Sequence, residues 1–579
     1  MDRSRQLDAS SRASSGRPLI RSRFILSIIT LAPLSLLLCA QTQGPPSALQ
    51  QPFEQQNWQE VLRRFEAVRV HTADDYYYYG GALAQLGRYD PAGQALLAGL
   101  RQRPTDKRFS TELAGISFKQ KRYPQAAQWL HRALKLDPAD NYANDFLGST
   151  YFLADNLEGA LKYWNRIGKP EIEEVRIQSQ LKVQPALLDS AMTFSPAEVL
   201  NSSDLLASQA RVRGLEIFPQ YSFDLAARDD GKFDLAFRAQ ELNGIGGTEW
   251  EAGLSFFRGI FYQTVYPEYF NIAGTATNVQ SLVRWDPEKR RMLATVSGPM
   301  RKNAKRHYSL AVDLRNENWD IRDSFTGPSN LLGALNLRRA GGRAEMASFE
   351  GGRVAWTAGV ELSHRDLRDV IPGSALNANI LLQGFQLKQS LQAKYDILRI
   401  PERRFVLAVD GWSDVGRLWS SPAHAFAKLQ GAASAHWLPQ FRGDDFETMV
   451  RLRGGKTFGE IPFDELFMLG LERDNDLWMR AHIGTRDGRK GSAPLGRNYF
   501  LASAETDKNI YGNGILRVKL GPFVDTGKIT DPGSGLGSPK WLVDTGFQAK
   551  VRVLGVAVVF SYGKDLRSGN NAFYTTVRR

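Results

Sequence analysis

The chain has 579 residues, of which 42% are hydrophobic and 23% charged, which excludes wholesale disorder and exceeds one ordinary domain. Its formal charge of +13 is spread along the sequence without a Lys/Arg-rich tail or helix, so a nucleic-acid stripe is not expected. Gly at 52 and aromatics at 11% suit a β-rich protein with many turns.

Residues 1–40 read as a signal peptide. Arg17, Arg21 and Arg23 precede the apolar run FILSIITLAPLSLLL, Phe24 to Leu38, and small residues follow. Fifteen residues interrupted by Pro33 are short for a membrane-spanning helix, which leaves a signal anchor as the alternative. Cys39 is the only cysteine; lipidation there would want a small residue before it, and Leu38 stands in that place. Cleavage at Ala40 leaves no cysteine for disulfides, thiolate zinc sites or a nucleophile. No later apolar run reaches 18 residues, which excludes a helical membrane protein but not a β-barrel.

Residues 41–170 carry a repeat of 34. Tyr89 opens YDPAGQALLAGLRQRP, Tyr123 opens YPQAAQWLHRALKLDP, and Leu157 opens a third copy. Ala92, Ala126 and Ala160 recur in step, as do Leu96, Leu130 and Trp164, and upstream Gly80, Ala114 and Gly148. Small residues let antiparallel helices approach and large ones fill the gap, which is the tetratricopeptide pattern. Tyr89, Ala92, Tyr123, Ala126 and Ala160 are its framework. The solenoid serves either as a groove for partner proteins or as a spacer on its neighbour.

Residues 171–242 alternate in IEEVRIQ, turn helical in VQPALLDSAM and in SSDLLASQARVRGLEIF behind a Ser202/Ser203 cap, then alternate again about the turn DDG. The order is β-α-α-β-β. From about Trp250 strand-like stretches recur once per roughly 20 residues, and helical ones are nearly absent. In VDTGFQAKVRV, Val543, Thr545, Phe547, Ala549, Val551 and Val553 share one face, opposite Asp544, Gln548, Lys550 and Arg552. That rate predicts a transmembrane antiparallel barrel of about 16 strands over residues 243–579, with lipid outside and a wet lumen inside.

The β-α-α-β-β segment resembles a POTRA domain. The whole order resembles the outer-membrane insertase and translocase superfamily of bacterial surface antigen type, which includes the barrel-assembly proteins and the two-partner-secretion transporters. The resemblance covers roughly 171–579 and is strongest from 467. In that superfamily a Val-Arg-Gly-aromatic motif in the sixth extracellular loop follows a Leu-Gly-Gly turn and folds into the lumen, its Arg anchored by wall carboxylates, one in a Phe-x-Asp-x-Gly strand. Here FMLGLERDNDLWMRAH supplies Leu469, Gly470 and Arg480; FVDTG supplies Phe523, Asp525 and Gly527; and RNYFLASAETD supplies Glu505. The resemblance implies that Arg480, Glu505 and Asp525 anchor the loop, with Gly470, Phe523 and Gly527 as motif residues. Leu471, Ala481 and His482 depart from the pattern, as does the terminal Arg578-Arg579 pair in place of a closing aromatic.

The seven His never take a paired ligand spacing, and no nucleophile elbow or P-loop occurs, so no catalytic residue, metal or cofactor is expected. The Gly-rich stretches GGTEW and GRKGSAPLG lack a strand before and a helix after. The expected function is to assemble, insert or translocate polypeptides across the bacterial outer membrane, with the N-terminal modules in the periplasm. Expected partners are unfolded or secreted polypeptide clients, periplasmic proteins in the repeat groove, and outer-membrane lipid, but no nucleic acid. The alternatives are a passive porin or exporter and a membrane-anchored interaction scaffold.

Overall fold

The computed structural model describes residues 47–177, 180–322, 330–371, 376, 379–513, 516–532, 536–538, 540–553 and 556–578. The expected signal peptide of residues 1–40, with Cys39, lies outside them, as does Arg579.

Helix pairs follow the 34-residue period: Ala73–Gln85 with Tyr89–Gln102, Lys107–Lys119 with Tyr123–Leu136, and Asn141–Leu153 with Leu157–Trp164. Ala92, Ala126 and Ala160 are buried between helices, while Tyr89 and Tyr123 stand half-buried at helix starts. The second small-residue row explains itself by contact. A Cβ on Gly80 would lie 2.7 Å from Leu96, and one on Gly148 would lie 2.4 Å from Trp164. Caps fix the helix starts: Thr72 and Asp75 form a reciprocal capping box, and Asp106, Asp140 and Asn156 accept from first-turn N–H groups.

The last repeat does not end the core. Trp164 packs on Phe233, with ring centroids 5.2 Å apart, and one apolar cluster runs from Leu130 and Leu161 to Ile172, Leu235 and Phe237. Those last three belong to a three-stranded sheet in which Phe233–Gln240 is central, parallel to Ile172–Ile177 and antiparallel to Gln220–Ala227. Helices Pro185–Ala191 and Ser202–Gly214 cover it, giving the β-α-α-β-β order. The second helix is headed by Asn201 rather than by a Ser202/Ser203 cap; the Asn201 side chain makes no capping bond, and Ser202 N–H instead donates to Asn165 Oδ1 at 3.1 Å.

Helix Glu249–Phe257 corrects the expectation that the segment from Trp250 is almost wholly strand and that GGTEW has no helix after it. Its start is a capping box, Thr248 with Glu251, legible as T-x-x-E in the sequence. Trp250, Leu254 and Phe257 are exposed on it.

Apart from the short pair Phe467–Met468 and Leu495–Gly496, the remaining strands form a closed barrel of eighteen segments. Two of these, Thr485–Arg486 and Arg489–Lys490, belong to an inserted loop. Thr264–Val265 and Glu268–Ile272, interrupted at Pro267, both pair with Thr277–Arg284 and are halves of one first strand. The wall therefore has fifteen strands among the described residues, close to the expected 16. Consecutive wall strands are antiparallel throughout, from the first through Leu331–Glu350 and Phe446–Gly459 to Asn571–Arg578. Because fifteen is odd, the first and last strands point the same way, so no antiparallel ladder can join them. Across this seam Tyr262 Oη donates to the Thr575 carbonyl at 3.2 Å.

Alternation sorts the faces. Leu310, Val312 and Leu314 are exposed outside, while Asp313 and Arg315 point inward, where Asp313 pairs with both Arg315 and Arg291. The N-terminal modules sit on the short turns at one end of the barrel. Gln184 N–H donates to Gly274 O at 2.7 Å and Ala304 N–H to Ser190 Oγ at 3.0 Å. From the last repeat, Asn156 donates to Pro401 O, Tyr163 donates to Glu402 at 2.7 Å, and Glu158 pairs with Arg399.

Candidate functional site

Between strands Phe446–Gly459 and Asn498–Gly512 the chain leaves the wall for residues 460–497 and fills the lumen at the end opposite the short turns. The loop packs with two apolar faces. Phe463, Leu466, Met468 and Leu495 pack with Trp319, Leu335 and Leu337; Leu469, Leu477 and Met479 pack with Tyr499, Leu501 and Ile529. This part of the barrel is a packed core rather than a wet lumen. The loop turns back at Asp487-Gly488, where Gly488 takes φ +81, and Gly491 takes φ +107, conformations that favour glycine.

Arg480 is 5% exposed and is gripped on every donor edge. Its Nε donates to Asp525 Oδ2 at 2.8 Å and its Nη2 to Asp525 Oδ1 at 2.7 Å, a bidentate fork. Nη1 donates to Glu505 Oε2 at 2.6 Å and to Gln548 Oε1 at 3.0 Å, and the guanidinium lies 3.8 Å from the Phe523 ring centroid. Lys550 in turn holds Glu505 and Asp507 at 2.7 and 2.6 Å. The structure thus brings Arg480, Glu505, Asp525 and Phe523 together. Gly470 and Gly527 are close-approach positions: a Cβ on Gly470 would meet Ala493 at 2.3 Å, and one on Gly527 would meet the Phe500 carbonyl at 3.0 Å.

The three departures within the loop have physical accounts. Leu471 is buried, and its N–H donates to His482 O at 2.7 Å. Ala481 N–H donates to Asp544 Oδ2 at 2.7 Å, and the buried His482 ring places Nδ1 3.0 Å from the same oxygen. A carboxylate therefore meets the two residues that replace glycine and the aromatic. Gly563 opens the space, since a Cβ there would lie 2.4 Å from Arg480 O.

Other anchors escaped the sequence reading. Asp474 is met by Arg284 at 3.0 Å, Arg291 at 2.7 Å and Lys490 at 3.0 Å, and Lys490 also pairs with Glu317 at 2.7 Å. Asp464 and Glu465 take Arg339, Arg365 and Lys388 from three neighbouring strands. FDELF and ERDND were visible as acidic pairs, but their basic partners lie up to 190 residues away. Asp544 had a clearer signal: VDTG occurs twice, at 524–527 and 543–546, and pairing places Asp525 opposite Asp544.

At the seam a cavity of about 490 Å³ is lined by Arg258, Tyr262 and Tyr266 near the first strand, Arg473 and Trp478 of the loop, and Thr575 of the last strand.

No protein-family model matches the sequence, and no curated protein does. Among solved structures, the chain is similar to BamA from Haemophilus ducreyi lacking POTRA domains 1-3, at 12% identity over 71% of this chain and 85% of that one, TM-score 0.38. CdiB from Escherichia coli aligns at 14% identity over 71% and 76%, TM-score 0.46. YrrB, a TPR protein with an unusual peptide-binding site, aligns at 19% identity over 21% and 63%, TM-score 0.20.

Proposed function

We propose that the chain is an outer-membrane barrel of the insertase and translocase type, which inserts or translocates polypeptides without a nucleotide. The observation that carries this reading is the inward loop pinned by Arg480 on Asp525 and Glu505, on the motif positions at which that superfamily pins its own loop. The apolar outer faces fit lipid, and the short-turn end with its helical modules is assigned to the periplasm. Clients are unfolded or secreted polypeptides, received by the repeat groove and the three-stranded module. Energy comes from client folding and strand pairing, and no enzymatic step is assigned.

The seam supports the same reading. Its two edge strands run in one direction, and Tyr262, in the turn just before the first, bonds Thr575 of the last beside an open cavity, so the wall is weakest where a polypeptide would leave it. A passive porin fits poorly, because the loop packs the lumen with apolar side chains.

Reconstitution into liposomes tests the proposal. Faster folding of an unfolded barrel client, or delivery of a secreted one, supports it. Solute leak alone supports a porin, and neither effect supports an anchored scaffold.

A further inference from the structure

Three aspartates stand in one cross-strand row on the inner wall: Asp525 opposite Asp544, and Asp544 opposite Asp565. Like charges directly opposite destabilise a sheet, so each needs compensation. Asp525 has Arg480, and the nearby Glu505 and Asp507 share Lys550. Asp544 and Asp565 are met by no Lys or Arg ion pair among the described residues. His482 lies 3.0 Å from Asp544, and Asp565 accepts from Arg567 N–H and from Ser568. Two buried carboxylates thus face at most one imidazolium, and a buried charge without compensation is costly.

A second observation points to a ligand. Asp544 is fully buried, and its Oδ1 has no hydrogen-bond partner among the described residues. His482, Asp544 and Asp565, all buried, each offer one ligand atom, and these atoms lie within 4.8 Å of one another. One imidazole nitrogen and two carboxylate oxygens suit a divalent metal with borderline preferences, and three protein ligands leave one position of a tetrahedral zinc for water.

We propose that His482, Asp544 and Asp565 bind one divalent transition metal ion, of the Zn²⁺ class. Ligand distances of about 2.0–2.2 Å draw the three atoms together from their present spacing. The ion neutralises the aspartate row and staples the loop to two adjacent strands, two residues beyond the Arg480 anchor. No sequence spacing announced it, because the ligands come from one loop and two strands.

The test uses the full chain, free of any histidine tag, purified in detergent, loaded with ZnCl₂ and dialysed against metal-free buffer. Elemental analysis is expected to find about one zinc per chain in the wild type, and under a tenth of that in Asp544→Asn and His482→Phe. His482→Phe keeps a ring at that position and serves as the folded control. Zinc is expected to raise the temperature of gel heat-modifiability in the wild type, reversibly with EDTA, and to leave both variants unmoved. A wild type that holds no stoichiometric zinc, or a His482→Phe protein that holds as much as wild type, overturns the site and leaves a His482–Asp544 ion pair only.

Discussion

Asp525 and Asp544 face each other across adjacent strands, and successive residues of one loop reach them: Arg480 forks onto the first, while Ala481 and His482 bond one oxygen of the second. The loop is therefore held by backbone as well as side chain, and its position is set by two strands at once.

Removing one partner of the fork leaves the other charge buried and alone. Asp525→Ala is expected to destabilise the loop-docked state by about 3–5 kcal/mol. The readouts are protease nicking within residues 460–497 and the urea midpoint of heat-modifiability on gels. An unchanged midpoint and an intact loop would show that Arg480 is not an anchor.

The solenoid predicts opposite outcomes at two glycines. Gly148→Val drives side-chain atoms into Trp164 and is expected to cost about 1–3 kcal/mol through overpacking. A Cβ added at Gly115 would meet nothing within 4 Å, so Gly115→Ala is expected to gain about 1 kcal/mol from helix propensity. Far-UV thermal melts and limited proteolysis of the repeat region separate the two; equal effects would contradict this packing.

Docking of the last repeat onto the barrel turns is expected to weaken in acid. Burial pushes Glu402 up, but the Lys162 ion pair and the Tyr163 hydrogen bond outweigh it and hold its carboxyl below the usual range. A depressed carboxyl stabilises the docked state above its ordinary value, and the contribution disappears as pH falls through the docked one. His131, beside Tyr163, is pushed down by burial, so its neutral form is favoured and its contribution also fades as pH falls below about 6.5. Proteolysis at the solenoid–barrel junction between pH 7.5 and 4 should accelerate toward acid. Glu402→Gln should remove the lower part of that dependence, and a flat profile in the wild type would refute it.

At the seam, Tyr262→Phe removes the hydroxyl that bonds Thr575 O. The loss of about 0.5–1.5 kcal/mol should speed amide exchange in residues 571–577 by roughly 2- to 13-fold, with exchange in Leu516–Thr530 unchanged. Equal exchange in both proteins would mean that the contact does not hold the seam.

What the sequence determined by itself was local and periodic. The 34-residue step of Ala92, Ala126 and Ala160, the two-residue alternation around Asp544 and Gln548, and the parity of Phe523 with Asp525 follow from helix and strand geometry, which act over a few residues. The Arg480 motif was legible because its order along the chain resembles a family pattern. The helix at Glu249–Phe257 was also written locally, in its capping box, but went unread among apolar residues that suit a strand equally well. Only the tertiary structure decided that Asp474 meets Arg284, that Asp565 lies beside Asp544 and His482, and that the fifteen wall strands among the described residues leave a seam whose two edges run the same way. These depend on which strands become neighbours and on how a loop packs inside a closed wall. Register and burial act on residues far apart in the chain, where no spacing rule reaches.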